Sequence, residues 1–229
     1  MSYNFIGLVN DVNRRLNEVE LTSSNFSTAT GYYNLSKDSV NASIRHIHQE
    51  EFEWPWNHAE ESEVLLEGEV RYSMPYDAKT VNMNSFRIRK DSSLNVETQR
   101  LKLLNYEEYL DKYIDYEYNS DVNTRAVPKY VVRTPSRELI FVPAPDKAYE
   151  VVYEYYTVGV DMSLATDVPS VPEEYKHAIV DGAMYYVYLF RGDTQTAQLS
   201  QQKFLQGIKH MRSLNINRTE YIRDTRVHF

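Results

Sequence analysis

The sequence predicts an α+β protein: a helical domain formed by N- and C-terminal helices, an inserted antiparallel β-rich domain, and an extended C-terminal tail. Three observations predict it. Apolar residues recur every three to four positions near both ends of the 229-residue chain. Between these stretches the pattern changes to short runs rich in Val, Ile, Tyr and Phe, punctuated by Gly, Pro and Asp. The final fifteen residues follow neither period. Expected boundaries are 1–53 and 169–213 for the two parts of the helical domain, 54–168 for the β-rich insertion, and 214–229 for the tail.

The first helix is expected over Tyr3 to Leu21. Phe5, Leu8, Val9, Val12, Leu16 and Val19 form its apolar stripe, with Asn10, Asp11, Arg14 and Glu18 facing away. A Ser/Thr/Asn-rich loop from Thr22 to Thr30 ends at Gly31. Ser36 or Asp38 then caps a second helix carrying Val40, Ile44 and Ile47. Trp54-Pro55-Trp56 stops helical character, because proline excludes its predecessor from the helical region.

Candidate strands follow at Val64–Leu66, Glu69–Tyr72, Ser85–Ile88, Tyr130–Val132, Glu138–Val142 and Tyr149–Tyr156, with one short helix at Tyr106 to Tyr113. In the last strand Val151, Tyr153 and Tyr155 point to one face, and Glu150, Val152 and Glu154 to the other. Ser170-Val171-Pro172-Glu173 has the spacing of a capping box, opening a helix that runs to about Phe190. Its face of Tyr175, Ala178, Ile179, Gly182, Ala183 and Tyr186 is small enough in the middle for close approach of a second helix. Gly192 ends it, Asp193 caps the next, and Ala197, Gln201, Phe204, Leu205, Ile208 and Met211 form the last stripe.

Composition excludes several classes. The chain has no cysteine, which removes thiol nucleophiles, disulfides and Cys-ligated zinc, and fits a reducing cytoplasm. No apolar run is long enough for a membrane span, and the N-terminus shows no basic and apolar signal segment. A formal charge of −8 argues against sequence-independent DNA binding, which needs cations to neutralise phosphates. Seven scattered glycines form no phosphate cradle, and no GxSxG elbow occurs. His46 and His48 lie two apart, so on a helix they face different ways and cannot share a metal. Asp115 and Glu117 could be posed as an acid/base pair, but among 33 acidic residues such pairs arise by chance. No catalytic residue, cofactor or metal is therefore expected. Twenty tyrosines, each an apolar body with a polar tip, suit subunit interfaces as well as sheets.

Two charge features stand out. Glu50, Glu51, Glu53, Glu60, Glu61, Glu63, Glu67 and Glu69 occur without a Lys or Arg before Val70, as either a solvated face or a surface that repels passing DNA. In the tail, apolar Ile216, Tyr221, Ile222, Val227 and Phe229 are interspersed with Arg218, Arg223 and Arg226. Such a segment either packs on its own domain or frays, or lies on a partner's surface.

The order of these parts resembles the head-to-tail adaptor (connector) proteins of tailed bacteriophages, in particular the tail-tubular-A-like adaptors of short-tailed phages. The likeness rests on Phe5 to Val19, on Trp54-Pro55-Trp56 with Met74-Pro75-Tyr76-Asp77, on Leu139 to Asp146 followed by Tyr149 to Tyr156, and on Val171 to Ala183. It implies a non-enzymatic virion protein assembled in the host bacterial cytoplasm into a ring, usually of twelve copies, between portal and tail. The tail residues Arg218, Tyr221, Ile222, Arg223, Arg226, Val227 and Phe229 would then dock into the portal protein. The β-rich domain would meet the tail nozzle or tube, and DNA would pass transiently through the ring, whose acidic wall would let it slide. The alternative is a carbohydrate-binding or hydrolytic tail accessory using Trp54, Trp56 and nearby carboxylates.

Overall fold

The structure, a computed structural model, describes residues 3–51, 53–89, 98–118 and 121–216. It divides into two compact units, one of residues 1–57 with 159–229 and the other of His58–Val158. The protein is α+β, helical in the first unit and built on largely antiparallel sheets in the second.

The helical unit contains α1 (Phe5–Arg15), α2 (Tyr32–Glu50), α5 (Lys176–Arg191) and α6 (Thr194–Asn215). The Asn4 side chain caps α1 by accepting from the Gly7 N–H at 3.0 Å. The helix stops at Arg15, well short of the expected Leu21, because Asn17 turns left-handed at φ 57°. The chain then folds back, and Asn10 holds the Leu21 backbone on both sides, accepting from its N–H at 2.7 Å and donating to its carbonyl at 2.8 Å. Leu21 is thereby buried, while Val19 leaves the stripe and is exposed. The second helix begins after Gly31, one turn before the expected cap. Ser36 is buried instead, its hydroxyl donating to Asn13 at 2.9 Å.

The Ser170 capping box does not form either, because that hydroxyl sits 3.1 Å from Nε2 of buried His48. Pro172 leads instead into a 3₁₀ turn, Glu173–Tyr175, ahead of α5. At the other end of α5, Gly192 adopts φ 77° as the C-cap and Asp193 accepts from the Thr196 N–H at 3.1 Å, so α5 and α6 form a tight hairpin. Both chain ends build one core, with Phe5, Leu8, Val12, Ile44, Ile47, Ile179, Ala183, Phe204, Ile208 and Met211 in a single cluster. Leu205, expected in the last stripe, is on its exposed side.

Among the described residues the β unit has nine strands: β1 (His58–Leu65), β2 (Arg71–Ser73), β3 (Ala78–Val81), β4 (Arg87–Arg89), β5 (Thr98–Arg100), β6 (Lys102–Leu104), β7 (Tyr130–Arg133), β8 (Glu138–Val142) and β9 (Tyr149–Thr157). The first sheet runs β1-β9-β4-β5, with β3 beside β4 along the same edge of β9. The second runs β2-β8-β7-β6, where β6 and β7 pair in parallel. Strand β9 alternates as its sequence predicts, with Val151, Tyr153 and Tyr155 buried and Glu150, Val152 and Glu154 less so. In β8, by contrast, Leu139, Ile140, Phe141 and Val142 are all buried. Leu139 and Phe141 join the core shared with the first sheet, while Ile140 and Val142 pack with Tyr109 of the short helix α3 (Tyr106–Lys112). A strand covered on both faces has no polar side to alternate with.

Strands β3, β5 and β6, each three or four residues long, are not among those expected from the sequence. Trp54, expected at the start of the insertion, is instead wholly buried in the helical core, where its indole N–H donates to the Ile47 carbonyl at 2.8 Å. Met162 belongs to the same core.

Candidate functional site

The linear run of glutamates is broken up by tertiary structure. Glu50 and Glu51 sit at the end of α2, where Arg212 of α6 reaches both, at 3.1 and 3.4 Å. Glu50 also lies 3.5 Å from His46 Nε2. Glu51 is buried, so it cannot belong to a solvated or channel-lining face: a carboxylate out of water requires the cation it has. Glu53 is exposed. Glu67 pairs with Arg125 at 2.8 Å, and Glu69 is exposed.

The remaining three glutamates occupy β1, where alternation separates them. Glu60 points to the exposed face, directly across from Glu154 of β9. Glu61 and Glu63 point to the other face and line a cleft of about 320 Å³ with Ser73, Pro75, Tyr76, Asp77 and Tyr155. Burial, reinforced by Glu61 and Glu69, raises the Glu63 carboxyl above its ordinary range. Burial likewise raises the phenol of Tyr155, with the charges of Asp77 and Glu61 adding to it. Tyr76 beside them is almost wholly exposed.

A second polar cluster lies where α3 and the short helix α4 (Asp115–Tyr118) meet β2. Arg71 donates to both oxygens of Glu117, the second at 3.0 Å, and to Glu138 at 3.0 Å. The buried Tyr109 hydroxyl donates to Glu117 at 2.6 Å. The Arg71 guanidinium, helped by Tyr109, holds the Glu117 carboxyl below its ordinary range. A carboxylate so clamped is a poor general acid, and its pairing joins helix to sheet.

The histidine and tryptophan positions resolve in the same way. His46 and His48 face apart on α2: His46 Nδ1 lies 3.0 Å from the Tyr186 hydroxyl, and His48 Nδ1 lies 2.7 Å from the Asn57 amide. Among the described residues no three His, Asp or Glu side chains gather as metal ligands. Trp54 stacks on Trp56 at 4.6 Å between ring centroids, and Trp56 meets Tyr175 at 5.8 Å. Buried Trp54 offers no exposed platform to a sugar.

Sequence reading missed a basic counterpart to the acidic strand. On β4 and β5, Arg87, Arg89 and Arg100 are exposed around half-buried or buried Ile88 and Gln99. The alternation Arg87-Ile88-Arg89 was the available signal. Arg89 pairs with Glu150 of β9 at 2.8 Å. The tail residues Arg218, Tyr221, Ile222, Arg223, Arg226, Val227 and Phe229 lie outside the described residues.

The clusters described thus hold elements together or line the surface of a sheet, as in a protein built for assembly. Residues 3–227 match the SU10 adaptor protein family, and the chain belongs to that family of phage head-to-tail adaptors. It is accordingly a structural component of the virion. No curated protein matches the chain. Among the described residues no helix is long and apolar enough to cross a membrane.

Proposed function

We propose that the chain is the repeating subunit of a ring in the phage neck, clamped between the portal and the tail nozzle or tube. The observation that carries this reading is the family match across residues 3–227. In the finer form suggested by likeness to the tail-tubular-A-like adaptors, twelve copies close the ring, and packaged DNA leaves the head through its centre. The net charge of −8 favours a wall that does not hold DNA. The tail, with Arg218, Arg223 and Arg226 among Tyr221, Ile222, Val227 and Phe229, docks into the portal. The β unit faces the tail proteins, and assembly takes place in the host cytoplasm.

Deleting residues 218–229 should leave the helical and β units folded, judged by circular dichroism, and abolish attachment to portal-bearing heads in a sedimentation assay. Undiminished attachment by the truncated chain would falsify the docking role. Arg→Glu replacement at Arg223 and Arg226 should weaken attachment, with wild-type attachment falling more steeply as salt rises.

A further inference from the structure

The first sheet of the β unit carries opposite charge on two of its edges, that of β1 and that of β5. On the β1 side, Glu60 faces Glu154 directly across the ladder, both on the exposed face. On the β5 side, Arg87 faces Arg100 in the same relation. Like charges directly opposite on adjacent strands destabilise a sheet. Among the described residues the compensation is weak: Glu154 has His58 at 3.7 Å and the Asn82 amide at 3.3 Å, and Arg100 donates to Asn84 at 2.9 Å. Among the described residues, Glu60, Arg87 and Arg100 have no oppositely charged partner, and no strand pairs with the outer edge of β1 or of β5. An eight-residue edge with free backbone groups is a template for another strand.

From these two edges we infer that the subunits of the ring proposed above join through this sheet, the β1 edge of one copy against the β5 edge of the next. Strand directions permit it. Successive antiparallel pairings of β1 with β9, β9 with β4 and β4 with β5 leave β5 antiparallel to β1. A neighbouring copy laid edge to edge with the same face outward therefore forms an antiparallel ladder. Glu60 of one copy then meets Arg100 of the next, with Glu154 and Arg87 one strand further in on each side. The charges also forbid the competing arrangements. Two β1 edges would set Glu60, Glu61 and Glu63 against their equivalents, and two β5 edges would oppose their arginines. Of these three pairings the head-to-tail one is attractive, and a head-to-tail contact closes into a ring when its rotation fits a whole number of copies, where a two-fold one stops at a dimer.

The experiment is a charge exchange on the full-length chain, read by sedimentation velocity and native mass against concentration. The wild type should assemble; E60R and R100E should each raise the midpoint concentration by about tenfold. E60Q, which only neutralises, should fall between them and the wild type. Mixing E60R with R100E should restore assembly, because every junction then pairs an Arg with a Glu. Single variants that assemble like the wild type, or a mixture that stays as weak as its components, would overturn the edge contact and leave the ring standing. A wild type that remains monomeric at every concentration would remove the ring reading, and this inference with it.

Discussion

Glu117 belongs to the residue scale, because its surroundings decide what its carboxylate does. Arg71 clasps it in two hydrogen bonds and Tyr109 donates a third, all to the charged form. Its folded pKa is therefore lowered from the ordinary 4.5. The sign follows: the stabilisation is present above the ordinary carboxylate value and is lost as pH falls through the depressed one. Replacing Glu117 by Gln should lower unfolding stability by about 1–2 kcal/mol at neutral pH. The gap from wild type should shrink as pH falls below the ordinary value, which chemical denaturation at several pH values would measure. A gap that persisted undiminished at low pH would show the carboxylate charge to be irrelevant. Tyr109→Phe should lose about 1 kcal/mol by the same assay. Spacing alone could raise Asp115 and Glu117 as candidates, but it could not supply Arg71, which lies 46 positions away.

At the scale of the element, the packing of α2, α5 and α6 turns on Gly182. A Cβ there would lie 2.2 Å from the Ser43 hydroxyl of α2 and 2.7 Å from the Phe204 ring of α6. Neither neighbour has room to move. Ser43 is buried and donates to the Ile179 carbonyl at 2.8 Å, and Phe204 is wholly buried. Two effects compete in Gly182→Ala. Helix propensity favours alanine by about 1 kcal/mol, whereas overpacking a tight core costs about 1–3 kcal/mol. With contacts this short the steric term wins, so the variant should melt at a lower temperature than the wild type. A raised melting temperature would mean that the three helices can part without loss. The small-residue face of α5 is legible in the sequence, since Ala178, Gly182 and Ala183 fall on one side of the helix. Which partners crowd it is not legible, because Ser43 and Phe204 come from distant stretches.

For the whole molecule, the relevant fact is that each of the two units has apolar clusters of its own. Among the described residues, the helical cluster draws on 3–56 and 162–216, and both clusters of the β unit draw on 59–155. The β unit also begins and ends side by side, with His58 paired to Tyr156. Residues 58–158 expressed alone should fold and unfold in one cooperative transition, seen as dispersed amide resonances and a single melting curve. A fragment without dispersed resonances would mean that the β unit depends on the helical one. If the edge contact holds as well, this fragment should carry the concentration-dependent association and its sensitivity to Glu60 and Arg100.

Local pattern determined by itself what depends on neighbours in sequence: an α+β chain, the helix stripes, the Gly192–Asp193 junction, the alternation of β9, and the absence of any local catalytic motif. Likeness in the order of parts pointed to the phage adaptors, with which the family match agrees. Tertiary structure decided the rest, because charge and burial are properties of what lies nearby in space. It buried Glu51 beside Arg212 and withdrew Trp54 into the helical core. It also spent the Ser170 hydroxyl on His48 and set Arg87 across from Arg100 at the far edge from Glu60. In a glutamate run free of cations in the linear chain, Glu50, Glu51 and Glu67 meet Arg212 and Arg125 only when remote segments come together.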